Sequence, residues 1–390
     1  MGDVTLRTIS VVTVARSDYG IYLPILRVIE RDPTLQLRLI VGGMHLAPEY
    51  GRTIDAIERD GFAVDDCVEM LLSSDTALGT AKSIGIGVMS FAEAYERTRP
   101  EILLVLGDRF EMHAAALASL PFGIPVAHIH GGEVTEGAID DALRHGITKI
   151  AHIHFASTQQ HADRLIRMGE EPWRVLVSGA PALDNLATLR FLNPAELTRD
   201  FGIPFDPAPL LVTYHPVTRT PEKTVRQIDT LLTALERIAM PILFTMPNAD
   251  TGGRYFAERV RSFVASHDNA HLLCNLGTQG YFSAMGSAAA MVGNSSSGII
   301  EAASLSLPVV DIGLRQAGRL RPQNVLHVED DESADAIIEA IVAATKIDFR
   351  ERIKGLANPY GRGNAAETIV SRLRDVSIDA RLLVKKFHDD

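Results

Sequence analysis

Carboxylates crowd one short stretch of this chain. Between residues 103 and 143 a run of aliphatic residues empties into Gly107-Asp108-Arg109, a second into His130-Gly131-Gly132-Glu133, and Asp140 and Asp141 follow a few positions on. Acidic groups gathered at turns suit general acid/base chemistry, in which one group takes a proton and another returns it. A different chemistry is written in Gly293-Asn294-Ser295-Ser296-Ser297-Gly298 and Glu301. Backbone amides and hydroxyls opening a helix favour a phosphate, and a carboxylate one turn later can accept from ribose hydroxyls, a metal-free grip on a nucleotide sugar. The segment matches neither GxxxxGK[ST] nor GxGxxG, and a plain serine turn is the alternative reading.

Other candidates flank these two. Arg16-Ser17-Asp18 is either an anion clamp or a helix cap with a solvated arginine. Arg315, Arg319 and Arg321 offer positive charge beyond the serine loop, with Gln316 beside the first, and His215 and the loop 246–250 each follow a strand-like run. His128, His130, His152 and His154 suggest zinc, and Asp108, Glu133 and Asp141 magnesium, but ordinary hydrogen bonding explains alternate strand histidines, and no metal is expected. Asp108 with Arg109 could equally be a structural ion pair, and Asp140 a helix-turn carboxylate.

The elements that must hold these residues read as alternating strands and helices. Continuous β-branched or aliphatic runs at 9–14, 37–41, 103–106, 125–129, 150–156 and 175–177 suit strands buried on both faces of a parallel sheet. Helical spacing follows the first, with Asp32-Pro33 as its stop, and recurs at 53–59, from 84 to 91 and at 159–167. A composition change near 178–181 and four prolines within 193–209 mark a boundary. A second series then runs through strands at 210–214, 241–245, 271–274, 289–292, 309–312 and 325–328, with helices at 224–238, 254–266, 297–305 and 333–345. In parallel sheets ligands bind outside the carboxyl ends of the strands, so the candidate residues should converge there, with two doubly wound domains facing one cleft.

Bulk properties narrow the function. At 390 residues, 46% hydrophobic and 22% charged, the chain can bury two sizeable cores. A formal charge of -11 without a lysine or arginine block argues against nucleic-acid binding. No apolar run spans a membrane and the first residues lack signal-peptide design. Cys67 and Cys274 lie far apart without metal spacing, which makes the cytoplasm the expected compartment.

Several of these loops, taken in order, carry a resemblance. Arg16-Ser17-Asp18-Tyr19, Gly107-Asp108-Arg109-Phe110, His130-Gly131-Gly132-Glu133, Ile139-Asp140-Asp141 with Arg144-His145, His215-Pro216-Val217-Thr218, Pro247-Asn248, Gly293-Asn294-Ser295-Ser296, Arg315-Gln316 and Gly318-Arg319 resemble the hydrolysing UDP-N-acetylglucosamine 2-epimerases of sialic- and legionaminic-acid pathways. The resemblance covers roughly residues 8 to 375. It implies the GT-B architecture: an α/β chain with Rossmann-like domains over 1–185 (sugar and acid/base residues) and 186–362 (UDP), and a helix in 363–390 that packs back on the first. It implies elimination of UDP through a glycal, then hydration to the free 2-epimer, with no cofactor. Asp108, Glu133, Asp141 and His215 are then the catalytic candidates. Arg16, Ser17, Asp18, His45, Arg109, Arg144, Asn248, Gly293, Asn294, Ser295, Ser296, Ser297, Glu301, Arg315 and Arg319 are the substrate-binding ones. The substrate is UDP-N-acetylglucosamine or its 2,4-diacetamido-trideoxy relative, with a slight lean to the latter from the small and apolar residues of 42–47 and 73–80. A homodimer or homotetramer is expected, with no nucleic-acid or membrane partner. A non-hydrolysing epimerase and a GT-B glycosyltransferase are the alternatives.

Overall fold

The computed structural model describes residues 6–48, 52–74, 76–135, 139–215, 221–245, 253–273, 276–329 and 333–389. The chain divides into two units, one of Met1–Ala187 with Tyr360–Asp390 and one of Thr188–Pro359. Each is built on a parallel sheet.

The first unit holds seven strands: β1 (Arg7–Thr13), β2 (Leu35–Gly42), β3 (Asp66–Val68), β4 (Ile102–Leu106), β5 (Val126–Ile129), β6 (Ile153–Ala156) and β7 (Val175–Val177). They lie in the order β3-β2-β1-β4-β5-β6-β7, every pair parallel. All five residues of β4 are buried, as a run without polar alternation requires when helices cover both faces. The order reverses between β1 and β4, so the loops after these two strands diverge to opposite faces and leave a crevice at their carboxyl ends.

The helix Ala365–Asp375 completes this unit's core: Ala365, Ile369 and Leu373 pack in one cluster with Ile9, Tyr22 and Ile29. Its start is fixed from a distance. Asp184 accepts from the amides of Ala365 at 3.0 Å and Ala366 at 2.7 Å, which satisfies two donors that a helix start leaves open.

Beyond this helix, fully buried Arg174 donates to the carbonyls of Arg381 and Leu382 at 2.8 Å each. Lys385 donates to the carbonyl of Ala151 at 2.6 Å and pairs with Glu170 at 2.7 Å. Glu170 is fully buried; burial alone would raise its pKa, but His154, Lys149 and Lys385 hydrogen-bond the carboxylate and bring it down to about 2. A depressed folded-state value stabilises the fold above the unfolded value near 4.5, and the contribution is lost as pH falls toward 2. Thermal melts between pH 5 and 3 should therefore show a fall in stability that Glu170→Gln lacks, the variant being about 2 kcal/mol less stable at pH 7. Equal pH slopes for the two proteins would refute this.

The second unit contains β8 (Leu210–Thr213), β9 (Ile242–Thr245), β10 (Ala270–Leu273), β11 (Ala290–Gly293), β12 (Val309–Ile312) and β13 (Val325–Val328) in the order β10-β9-β8-β11-β12-β13. Its order reverses between β8 and β11. Leu210, Val212, Ala290, Val292 and Val310 form its centre with Ile228 and Ile341 from covering helices.

Three expected elements differ. The helix expected from 84 to 91 starts earlier and runs on, as Ala77–Thr98, with the Thr76 hydroxyl capping it through the Gly79 amide. The helix Ile139–Ile150 runs through the start of the expected 150–156 strand, so β6 begins at Ile153 and His152 sits in a turn, accepting the Val126 amide at 3.2 Å. The expected 297–305 helix is one α-turn, Ser296–Ile300, followed by a 3-10 turn, Ala302–Leu305. Among the described residues no helix is long and apolar enough to cross a membrane.

Candidate active site

In the first unit the candidate carboxylates stand on loops that leave β4 and β5 and on the helix Ile139–Ile150. Asp108 pairs with Arg144, not with the neighbouring Arg109. Nη2 of Arg144 also donates to the Thr135 hydroxyl at 3.1 Å, and the Thr135 amide donates to Asp141 at 2.9 Å. One buried guanidinium and one threonine thus tie Asp108 to Asp141. Helix spacing adds His145, one turn from Asp141, with its Nε2 3.6 Å from that carboxylate.

Glu133 is buried and held from two sides. Its Oε1 accepts from the Ser157 hydroxyl at 2.7 Å and lies 2.5 Å from Nδ1 of His130. His130 adopts φ +64°, a region sparsely populated by residues with a side chain. Such a conformation persists where neighbours over-determine it, and it is met often at active sites.

A second cluster sits at the β1/β4 switch point. Arg109, at the start of the helix that follows β4, donates to Glu111 at 3.2 Å and reaches Met44 Sδ at 2.9 Å. Asp18 is buried beside it; burial pushes its carboxyl up to about 6 against the pull of Arg109. Arg16 and Ser17 are exposed at the start of the helix Arg16–Arg31, and the Ser17 hydroxyl reaches Asp18 at 3.3 Å. His45 is fully buried and uses both ring nitrogens within the protein, Nε2 with Thr13 at 2.9 Å and Nδ1 with Thr53 at 2.7 Å. The remaining histidines also have separate partners: His128 meets the Gly107 carbonyl at 2.8 Å and His154 meets Glu170 at 2.9 Å.

In the second unit the loops after β8 and β11 are locked together. Gly293 has φ +141°, and a Cβ there would stand 2.0 Å from the Thr213 carbonyl oxygen, so only glycine permits this approach. The Asn294 side chain then accepts the His215 amide at 2.7 Å and donates to the His215 carbonyl at 2.9 Å. That side chain is spent on backbone, and its effect is to fix His215. Arg315 and Gln316 donate to the Asn294 carbonyl at 3.0 and 2.9 Å. Burial, and to a lesser degree Arg315, hold His215 near a pKa of about 3, so at neutral pH it offers hydrogen bonds and Arg315 offers charge. Ser295 caps the short helix through the Ser297 amide at 3.4 Å, Ser296 and Ser297 are half-buried in its first turn, and Glu301 is buried at its end. Arg319 lies further along, half-buried after β12, whereas Arg321 is taken up by Asp311 at 2.8 Å. Asn248, with Pro216, Val217 and Thr218, lies outside the described residues.

Four residues in these networks carry no signal in the sequence. Glu111 reads as a first-turn helix carboxylate, Thr135 and Ser157 as loop residues. Tyr281 falls in the helix Gly277–Ser287, and its hydroxyl lies in hydrogen-bonding contact with Ser297, Thr213 and Ser295. Among the described residues no group of three or more His, Cys, Asp or Glu side chains could hold a metal ion.

Comparison with known proteins agrees with this organisation. A family model described as UDP-N-acetylglucosamine 2-epimerase matches residues 27–374. The GDP/UDP-N,N'-diacetylbacillosamine 2-epimerase (hydrolyzing) of Campylobacter jejuni is 36% identical over 98% of this chain and 99% of its own length. The UDP-N,N'-diacetylbacillosamine 2-epimerase (hydrolyzing) of Legionella pneumophila is 34% identical over 97% and 99%. The polysialic acid biosynthesis protein P7 of Escherichia coli is 31% identical over 98% of each chain. Among solved structures, the UDP-GlcNAc 2-epimerase of Neisseria meningitidis bound to UDP-GlcNAc superposes with a TM-score of 0.81, covering 94% of this chain and 99% of that one at 18% identity.

Proposed function

Because the chain belongs to the UDP-N-acetylglucosamine 2-epimerase family, we propose that it is a hydrolysing UDP-sugar 2-epimerase acting on UDP-2,4-diacetamido-2,4,6-trideoxyglucose in nonulosonic-acid biosynthesis of the legionaminic type. The observation that carries this is the end-to-end match to two relatives named for hydrolysing diacetylbacillosamine epimerases. The GT-B class, two Rossmann-like units, accords with it.

The chemistry assigned to the residues is as follows. A base removes the proton from sugar carbon 2 while the bond from carbon 1 to the diphosphate oxygen breaks, giving UDP and a glycal. Water then adds its oxygen to carbon 1, and a proton is delivered to carbon 2 on the opposite face. The sum is UDP-sugar plus water to UDP plus the free 2-epimer. Asp108, Glu133 and Asp141 divide proton removal, proton return and water activation among them. Arg144 pairs with the Asp108 carboxylate and holds it in place for proton transfer. Arg16, Arg315, Arg319 and the serine loop offset charge on the departing diphosphate, with His215 donating a hydrogen bond and Glu301 accepting from the ribose. Asp18, Arg109 and Ser17 line the sugar side, with Asn248 on the nucleotide. A cytoplasmic homodimer or homotetramer belongs to the same proposal.

An NMR time course in deuterated water tests it, run separately with the diacetamido sugar nucleotide and with UDP-N-acetylglucosamine. Free 2-epimer carrying deuterium at carbon 2, formed with equimolar UDP and faster from the diacetamido compound, is the expected result. Product still linked to UDP would place the chain with non-hydrolysing epimerases, and preference for UDP-N-acetylglucosamine would overturn the assigned substrate. Arg144 supplies a further test. Arg144→Met should lower kcat about 10- to 30-fold with a smaller change in KM, because it loosens Asp108 and Thr135 without touching the nucleotide grip. A rise in KM at constant kcat in steady-state UDP release would exclude that role.

A further inference from the structure

We propose that Ser157 and His161 are positioning residues that hold the Glu133 carboxylate in its reactive orientation, an inference that rests on the acid/base role given to Glu133. Ser157 lies just past β6 and His161 in the first turn of the helix Gln159–Arg167, so both are presented by elements adjacent to the Glu133 loop in the same sheet. The Ser157 hydroxyl has one proton, and it goes to Glu133 Oε1 at 2.7 Å. Its oxygen lies 2.8 Å from Nδ1 of His161. With the serine proton already committed, Nδ1 must be the donor there, which fixes the neutral ring in its Nδ1–H tautomer. Burial keeps this imidazole neutral, its pKa brought down to about 4.

The consequence is a directed chain, His161 to Ser157 to Glu133. Donors from Ser157 and His130 both address Oε1, so the carboxylate is held from two sides in one orientation. The backbone enforces the same geometry. Gly132 has φ +76°, and a Cβ there would lie 2.3 Å from the His161 carbonyl oxygen, so the turn that carries Glu133 is pressed directly against the helix that carries His161. All three side chains are buried, at 3% exposure for Glu133 and 1% for Ser157 and His161, where a fixed hydrogen bond holds orientation without competition from water.

The test is steady-state kinetics of UDP release on the full chain, with thermal melts as a check on folding. Ser157→Ala and His161→Leu are expected to lower kcat about 10- to 100-fold while KM stays within about twofold, since a misplaced reacting group costs rate and not ground-state binding. Ser157→Thr, which keeps the hydroxyl, and His161→Asn, which keeps an N–H near the Nδ1 position, should recover most of the loss. Wild-type kcat in Ser157→Ala, or equal losses in Ser157→Ala and Ser157→Thr at unchanged melting temperature, would overturn the proposal. Glu133→Gln separates the two readings: retained activity there removes the role of Glu133 itself, whereas an inactive Glu133→Gln beside a fully active Ser157→Ala removes only the positioning.

Discussion

Asp108→Asn and Glu133→Gln are each expected to lower kcat by about 10³-fold or more, with UDP affinity within about threefold of the wild type. The amide replaces one carboxylate oxygen by a donor of nearly the same size, so packing survives and proton acceptance does not. At Asp108 the remaining carbonyl oxygen can still accept from Arg144, and at Glu133 it can still accept from Ser157. Calorimetric titration with UDP alongside single-turnover product formation reads both quantities. Turnover above about one tenth of wild type, or loss of UDP binding in parallel with turnover, would remove these residues from the acid/base role.

Gly293→Ala is expected to destabilise the second unit by about 3 kcal/mol. The added methyl meets a backbone carbonyl, which cannot rotate aside as a side chain can, and the φ of +141° is itself unfavourable to alanine. Relief requires β8 and β11 to separate at their carboxyl ends, and this pulls on the Asn294 clamp and so on His215. The single tryptophan, Trp173, lies in the first unit and gives a local reporter. In urea, the circular-dichroism transition of Gly293→Ala should develop an early component that Trp173 fluorescence does not follow, and UDP affinity should fall with it. A single transition unchanged from wild type would show that the loop absorbs the methyl.

Much of the scaffold was legible in the chain itself. Parallel strands buried on both faces need unbroken aliphatic runs, and β4 falls where such a run lies. The three-residue β3 was invisible because Asp66-Cys67-Val68 has no period at all, and the start of β6 was misplaced because Ile150 serves equally as the last apolar residue of an amphipathic helix. At the site, residue types were readable and partnerships were not. Asp108 next to Arg109 suggested an ion pair by adjacency, yet residues adjacent at a strand end point to different faces, and the pairs that form are Asp108 with Arg144 and Arg109 with Glu111. His45 entered as a substrate-binding candidate through the resemblance alone; its burial between Thr13 and Thr53 depends on contacts 32 and 8 residues away. Spacing predicts neither.

The helix Ala365–Asp375 closes a core most of whose members were made some 180 or more residues earlier. During synthesis the first unit therefore leaves the ribosome with an uncovered apolar face, while Thr188–Pro359 is contiguous and can fold as soon as it emerges. The nascent chain must keep Ile9, Tyr22 and Ile29 from sticking to other surfaces until residues 365–375 have been made. Premature termination before residue 365 would yield an aggregation-prone product rather than a half-active one.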